Sequence, residues 1–178
     1  MKRLGILTLV FWAIHAGNHV FFRHTAHDLF WVCNVAPLVL AIGCFAKSPR
    51  LCAVATAWLS YGMPIWILDL ATGANMIRTS VFTHFGCLAI GFLAARRLGW
   101  PRRTWLYAAL LSLVPLALAR IFTPPGPNVM LAFRVHEGWE KYFSSHPLYL
   151  AVMIGGGAVV FFVVETIFRR LFGVSSRA

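Results

Sequence analysis

Six long apolar runs, separated by short polar breaks, leave this chain few folds to choose from: Leu4–Phe22, Leu29–Ala46, Leu51–Leu70, Ser80–Ala95, Thr104–Phe122 and Pro147–Phe168. A helix needs about 20 mostly apolar residues to cross the hydrocarbon of a bilayer at 1.5 Å rise each. Inside lipid every backbone N–H and C=O must find its partner within the protein, which helices do unaided. The expected fold class is therefore all-α: a polytopic transmembrane helix bundle of six spans, a single domain over residues 1–178. Only 12% of the residues are charged, against about 25% in soluble domains, so water is not the main solvent.

The net charge of +11 would point to nucleic acid in a soluble protein, but the positions of the charges exclude that partner. Lys and Arg sit in short segments at run ends, and none forms a recognition helix or a basic arm. An N-inside path through six spans puts Lys2, Arg3, Lys47, Arg50, Arg96, Arg97, Arg102, Arg103, Arg169, Arg170 and Arg177 on one side. Arg23, Arg78, Arg120, Arg134 and Lys141 fall on the other. The positive-inside rule then places both termini in the cytoplasm, with the chain integral to a bacterial cytoplasmic (inner) membrane. Met1-Lys2-Arg3 before an apolar run resembles a signal peptide, but no small-x-small cleavage site follows, and the run reads as a retained first span.

The connections carry further expectations. Lys47-Ser48-Pro49-Arg50 is a tight turn that makes the second and third runs an antiparallel hairpin. The connection from Thr123 to His146 is the only long one and starts with turn formers, Thr-Pro-Pro-Gly-Pro-Asn. Within it, residues 129–143 mix aromatic and charged side chains, as in an interfacial helix lying over the bundle as a lid; an ordered loop is the alternative. Gly155-Gly156-Gly157 in the last run would allow close helix approach or a kink, and Pro64 and Pro115 would bend their helices. Cys33, Cys44, Cys52 and Cys87 all lie in or beside apolar runs, which gives no disulfide framework.

All seven histidines, His15, His19, His24, His27, His84, His136 and His146, map to the outer half or the outer connections. Counted from the outer run ends, His19 lies roughly 5 Å deep and Cys33 and His84 roughly 7 Å deep. Asn18, Asn34, Asp69, Thr79, Ser80 and Thr83 reach the same layer, and Asn128, Arg134, His136, Glu137 and Trp139 can join from the lid. Polar groups in a membrane are costly unless they face protein or water, so the expectation is an outward-facing polar cavity.

Within that layer Cys33 and His84 are the candidate catalytic pair, a thiol nucleophile and an imidazole that takes its proton. Asp69 or His19 would orient the histidine. Asn34, Thr83, Asn128, Arg134 and Trp139 are candidate substrate contacts, with Asn34, Thr83 or Arg134 facing an oxyanion. Cys87, one turn beyond His84, is a rival thiol. His15 and His19, four residues apart on one helix face, suit either metal ligation with His84 or an interhelical hydrogen bond.

The order Cys33-Asn34 early in the second run, Asp69 ending the third, Phe82-Thr83-His84-Phe85 opening the fourth and Asn128-Val129-Met130 after the fifth resembles the YwaF-like bacterial integral membrane proteins. It is also similar to their eukaryotic transmembrane acyltransferase relatives, in which a Cys and a His move a phospholipid acyl chain. The resemblance spans roughly residues 28 to 131 and implies Cys33 as acyl acceptor and His84 as base. Leu29-Phe30-Trp31-Val32-Cys33 stands where that family has a Pro-Leu-His-Leu-Cys type run, and Asn-Val-Met where it has Asn-Tyr-Met. Asp28–Gly43 also resembles uncharacterised six-span bacterial membrane proteins with Trp-x-Cys-Asn early in the second span.

Three functions follow as expectations. The first is transfer or hydrolysis of lipid acyl chains through the Cys/His pair, with membrane lipids as partners and no cofactor. The second is a membrane protein that holds haem or a transition metal through His15, His19 and His84. The third is a non-catalytic transporter or assembly partner, for which a protein partner or a homo-oligomer remains open. The polarity on one side alone argues against alternating access.

Overall fold

Apolar periodicity becomes helix throughout the computed structural model, which describes residues 1–72 and 76–173. The helices are α1 (Lys2–Phe22, its last turn Asn18–Phe22 wound as a π-helix), α2 (Val32–Ala46), α3 (Pro49–Ala71), α4 (Cys87–Leu98, continuing a π-helical turn at Phe82–Gly86), α5 (Thr104–Phe122) and α6 (His146–Phe172). Four of them, α1, α3, α5 and α6, are long and apolar enough to cross a membrane, and α2 is a shorter apolar helix. The second helix starts at Val32, later than its apolar run. The reason is local: Ala26–Phe30 is taken up by a 3-10 turn and Trp31 adopts an extended conformation.

The hairpin between α2 and α3 forms as its turn residues dictate. Lys47 takes a left-handed conformation that ends α2, Ser48 accepts the Leu51 N–H at 3.3 Å, and Pro49 occupies the first turn of α3. These are the N-cap and Pro-at-N1 devices of a helix start. The long helix α3 then runs through the middle of the molecule and touches α2, α4, α5 and α6. Its first half, Cys52 to Leu59, is wholly buried among Ala36 and Leu40 of α2, Ile90 and Ala94 of α4, and Ala108 of α5. Small residues dominate there, which lets helix backbones approach closely. Trp58 donates its indole N–H to the Ala108 carbonyl at 2.9 Å, tying α3 to α5.

Beyond Ser60, α3 becomes half-buried or exposed. The solid core therefore occupies the end of the bundle that carries most of the arginines, and the end with the histidines is hollow. Pro64 and Pro115 interrupt neither helix: α3 and α5 continue through them.

Glu165 has a larger role than an ion pair at a helix surface. It is buried on α6 and accepts the Arg103 N–H at 3.0 Å and the Trp105 N–H at 2.9 Å, while Arg169 approaches at 3.7 Å. A carboxylate on one helix thus satisfies the orphan donors at the start of the next.

Of the two readings of residues 129–143, the structure takes the loop. Two short 3-10 turns, Val129–Leu131 and Glu140–Tyr142, replace a continuous interfacial helix. Asn128, Met130, Leu131 and Gly138 have positive φ, which an α-helix cannot accommodate. Asn128 holds the bend by accepting the Phe133 and Arg134 N–H groups, each at 3.1 Å, and donating to the Arg134 carbonyl. Arg120 and His146 brace the loop from the helices below, through the Ala132 and Leu131 carbonyls.

The glycine triplet differs from expectation as well. A Cβ built on Gly155, Gly156 or Gly157 meets no atom within 4 Å, so the triplet is not a close-packed seam among the described residues.

Candidate functional site

The hollow end encloses a cavity of about 500 Å³ between α1, α2, α3, α5, α6 and the loop after α5. His15, His19, Asp28, Cys33, Asn34, Asp69, Ser80, His84 and His136 line its polar part. Ile65, Leu113, Leu116, Met153, Ile154 and Phe161 line the rest, which is apolar.

Local irregularity positions the histidines. His19 and His84 each sit in a single π-helical turn, and both are buried. Such turns are rare, and they rotate a side chain away from the direction a regular helix would give it. His84 donates from Nδ1 to the Ser80 carbonyl at 3.0 Å and stacks flat on Trp66, with ring centroids 4.7 Å apart and planes within 9°. With Nδ1 donating, Nε2 carries the lone pair and has no partner among the described residues, which makes it an available base. The group that orients His84 is therefore the Ser80 carbonyl, where Asp69 or His19 was expected. Asp69 lies in the exposed part of the cavity wall.

The network around His15 settles its tautomer. Asn34 donates from Nδ2 to the Asp28 carbonyl at 2.8 Å, which turns its Oδ1 toward His15 Nε2 at 3.1 Å. His15 Nε2 must then be the donor, and Nδ1 accepts from the Thr79 hydroxyl at 2.9 Å. His15 and His19 meet edge to face with centroids 4.6 Å apart. His19 Nδ1 bonds the Thr25 hydroxyl at 2.7 Å and lies 3.6 Å from Asp28. Asp28 also approaches His27 at 3.7 Å. Both ring nitrogens of His15 are thus hydrogen-bonded, and a metal ion at Nδ1 would have to displace the Thr79 hydroxyl. Among the described residues no three His, Cys, Asp or Glu side chains converge at ligand spacing.

Cys33 is the second residue of α2, half-buried, with its side chain in the cavity wall. Val32, just before it, donates its N–H to the Met130 sulfur at 3.3 Å, so the loop after α5 is pinned beside the thiol. No hydrogen bond joins Cys33 to His84. The α3 backbone passes both: a Cβ on Gly62 would lie 3.3 Å from the Cys33 Cβ, and Trp66, one turn further along, carries the stacked His84. Cys87 is fully buried in the core, away from the cavity lining.

The remaining candidates lie outside the wall. Thr83 is fully buried with its hydroxyl unpartnered among the described residues, Asn128 is spent on the loop, and Arg134 donates to the Gly126 carbonyl. Trp139 stacks on Phe143 and meets Tyr149 edge-on. Sequence reasoning missed Asp28, Trp31, Tyr61 and Trp66. Asp28 looks solvated in the sequence because it lies in the polar break just before the second run, and the aromatics look like ordinary span residues. The one available signal for Trp66 is its position one turn before Asp69 on the α3 face that bears Gly62.

Comparison with protein-family models, curated proteins and solved structures returned no match.

Proposed function

We propose that this chain is a six-span protein of a bacterial cytoplasmic membrane, both termini inside, that transfers or hydrolyses lipid acyl chains in a cavity open to the outer leaflet. One observation carries the reading: a thiol and an imidazole with a free nitrogen line the polar part of a cavity whose remaining wall is apolar. Such a chamber matches a molecule with a long apolar tail and one polar, reactive junction. The resemblance of Cys33-Asn34, Asp69 and His84 to the acyl-transferring membrane proteins points the same way. The charge distribution supports the orientation. The six helices support the span number, with α2 and α4 as short crossings shielded by their neighbours.

In the proposed step the Cys33 thiol gives its proton to His84 Nε2 while the sulfur attacks the ester carbonyl. The tetrahedral oxyanion collapses, the C–O bond breaks, and the leaving alkoxide takes the proton from His84. The acyl group is then a thioester on Cys33. An acceptor hydroxyl or water attacks it, with His84 again as base, and the thiol is restored. A sulfur anion at this place faces the positive end of the α2 dipole, and the Cys33 N–H in the first turn is an orphan donor suited to the oxyanion.

The test is covalent labelling. Purified protein in detergent should react with an activated long-chain acyl ester to give an acyl-enzyme, detected by intact mass and released by hydroxylamine. Cys33→Ser should lose the hydroxylamine-labile adduct and Cys87→Ser should keep it. His84→Ala should slow labelling by roughly 100-fold or more, the usual contribution of a general base. Unchanged lipid turnover in Cys33→Ala would sink the reading.

A further inference from the structure

The apolar part of the cavity follows α6. Along α6 its lining runs from Leu150 to Phe161, a depth of about 16 Å at 1.5 Å per residue. Phe161 meets Tyr61 of α3 edge to face, centroids 5.4 Å apart, and both rings line the cavity. Gly157, one turn nearer the histidines, is the member of the glycine triplet that is buried and lines the cavity, with no atom within 4 Å of where its Cβ would stand. Gly155 and Gly156 also have open space there, but both are exposed on the outside of the helix.

We infer that the apolar part of this cavity receives a single acyl chain, tail toward the Tyr61–Phe161 pair, and that the missing side chain of Gly157 sets how long a chain it accepts. This rests on the acyl-chain reading of the site and narrows it to long-chain substrates. A side chain at Gly157 would project into the space the tail occupies. One at Gly155 or Gly156 would change the helix equally but leave the chamber alone. Each methylene kept out of an apolar site weakens binding about fourfold, so a leucine that excludes the end of the chain costs the longest ligands roughly tenfold or more.

The experiment separates binding from chemistry. In a Cys33→Ala background, native mass spectrometry measures binding of lysophosphatidylcholines with acyl chains of eight, twelve, sixteen and eighteen carbons. Affinity should rise with length in the parent. In Gly157→Leu the rise should stop at a shorter chain, with the longest ligands bound roughly tenfold more weakly than by the parent. Gly157→Ala should shift the limit less, and it keeps the test available if the leucine variant folds poorly. Gly156→Leu should match the parent. An unchanged length profile in both Gly157 variants, or an equal shift in Gly156→Leu, overturns the inference. A shortened profile beside a Cys33 that takes no acyl group would leave the chamber standing and remove the proposed chemistry. Acylation of Cys33 that ignores chain length in Gly157→Leu would do the reverse.

Discussion

Asn34 is held at both ends of its amide, and this decides what it can do. Its Oδ1 fixes His15 and its Nδ2 fixes the Asp28 carbonyl, so it builds the wall of the site. Asn34→Ala would strand one donor and one acceptor in a buried place, at about 1–3 kcal/mol for each group left unpaired. A fall of several degrees in the melting temperature of the detergent-solubilised protein is the expected result. Thr83→Val is the opposite case, since the Thr83 hydroxyl is fully buried without a partner among the described residues. Removing that hydroxyl at nearly constant shape should leave the melting temperature unchanged or raise it. At this scale the sequence was informative about which residues share a depth, because depth follows from counting along a helix. It was silent on which of them touch. The Ser80 carbonyl orients His84 within a π-turn, and nothing in Phe82-Thr83-His84-Phe85 announces that turn.

Helix ends account for most departures between expectation and structure. The α2–α3 turn was legible because Ser48-Pro49 is a self-contained local signal. The start of α5 was not: its cap comes from Glu165, sixty residues away on another helix. Arg169, one turn further along α6, approaches the same carboxylate as an ion pair. Two consequences separate the roles. Glu165→Gln keeps only one acceptor oxygen for two backbone donors and should lower stability by about 1–2 kcal/mol, within the range of lost helix caps. Arg169→Gln removes a partner 3.7 Å away whose side chain is 35% exposed and should cost less than about 0.5 kcal/mol. Thermal or denaturant unfolding of the two variants measures the contrast, and equal losses would mean that the ion pair, and not the cap, matters. The loop after α5 was readable only as a pair of alternatives. Its aromatic and charged composition suits a helix, while its left-handed residues, including two with large side chains, are visible only in three dimensions.

For the whole molecule, hydropathy located the six α-helices of the described residues because each apolar run can be read independently of the others. It did not reveal that the bundle is solid at one end and hollow at the other. That asymmetry comes from where small residues on α2, α3, α4 and α5 coincide, which is a property of packing between runs. The proposed orientation has a direct test in intact cells. A membrane-impermeant maleimide should label Gly126→Cys in the loop after α5, and should reach Lys47→Cys in the α2–α3 turn only after permeabilisation; the reverse pattern would invert the topology.

The two halves of α3 have a mechanical consequence. From Cys52 to Leu59 the helix is gripped on every side, with Trp58 bonded to α5, and beyond Ser60 it stands half-free beside the cavity. Past the grip it is held by fewer contacts, chiefly Tyr61 on Phe161 and Trp66 on His84. Asp69 lies eleven residues past Trp58, about 16 Å along the axis, so a tilt of about 5° at the anchor moves the free end by about 1.4 Å. A lean of that size would widen the chamber at the expense of the Trp66–His84 stack, while the packed end keeps its own contacts.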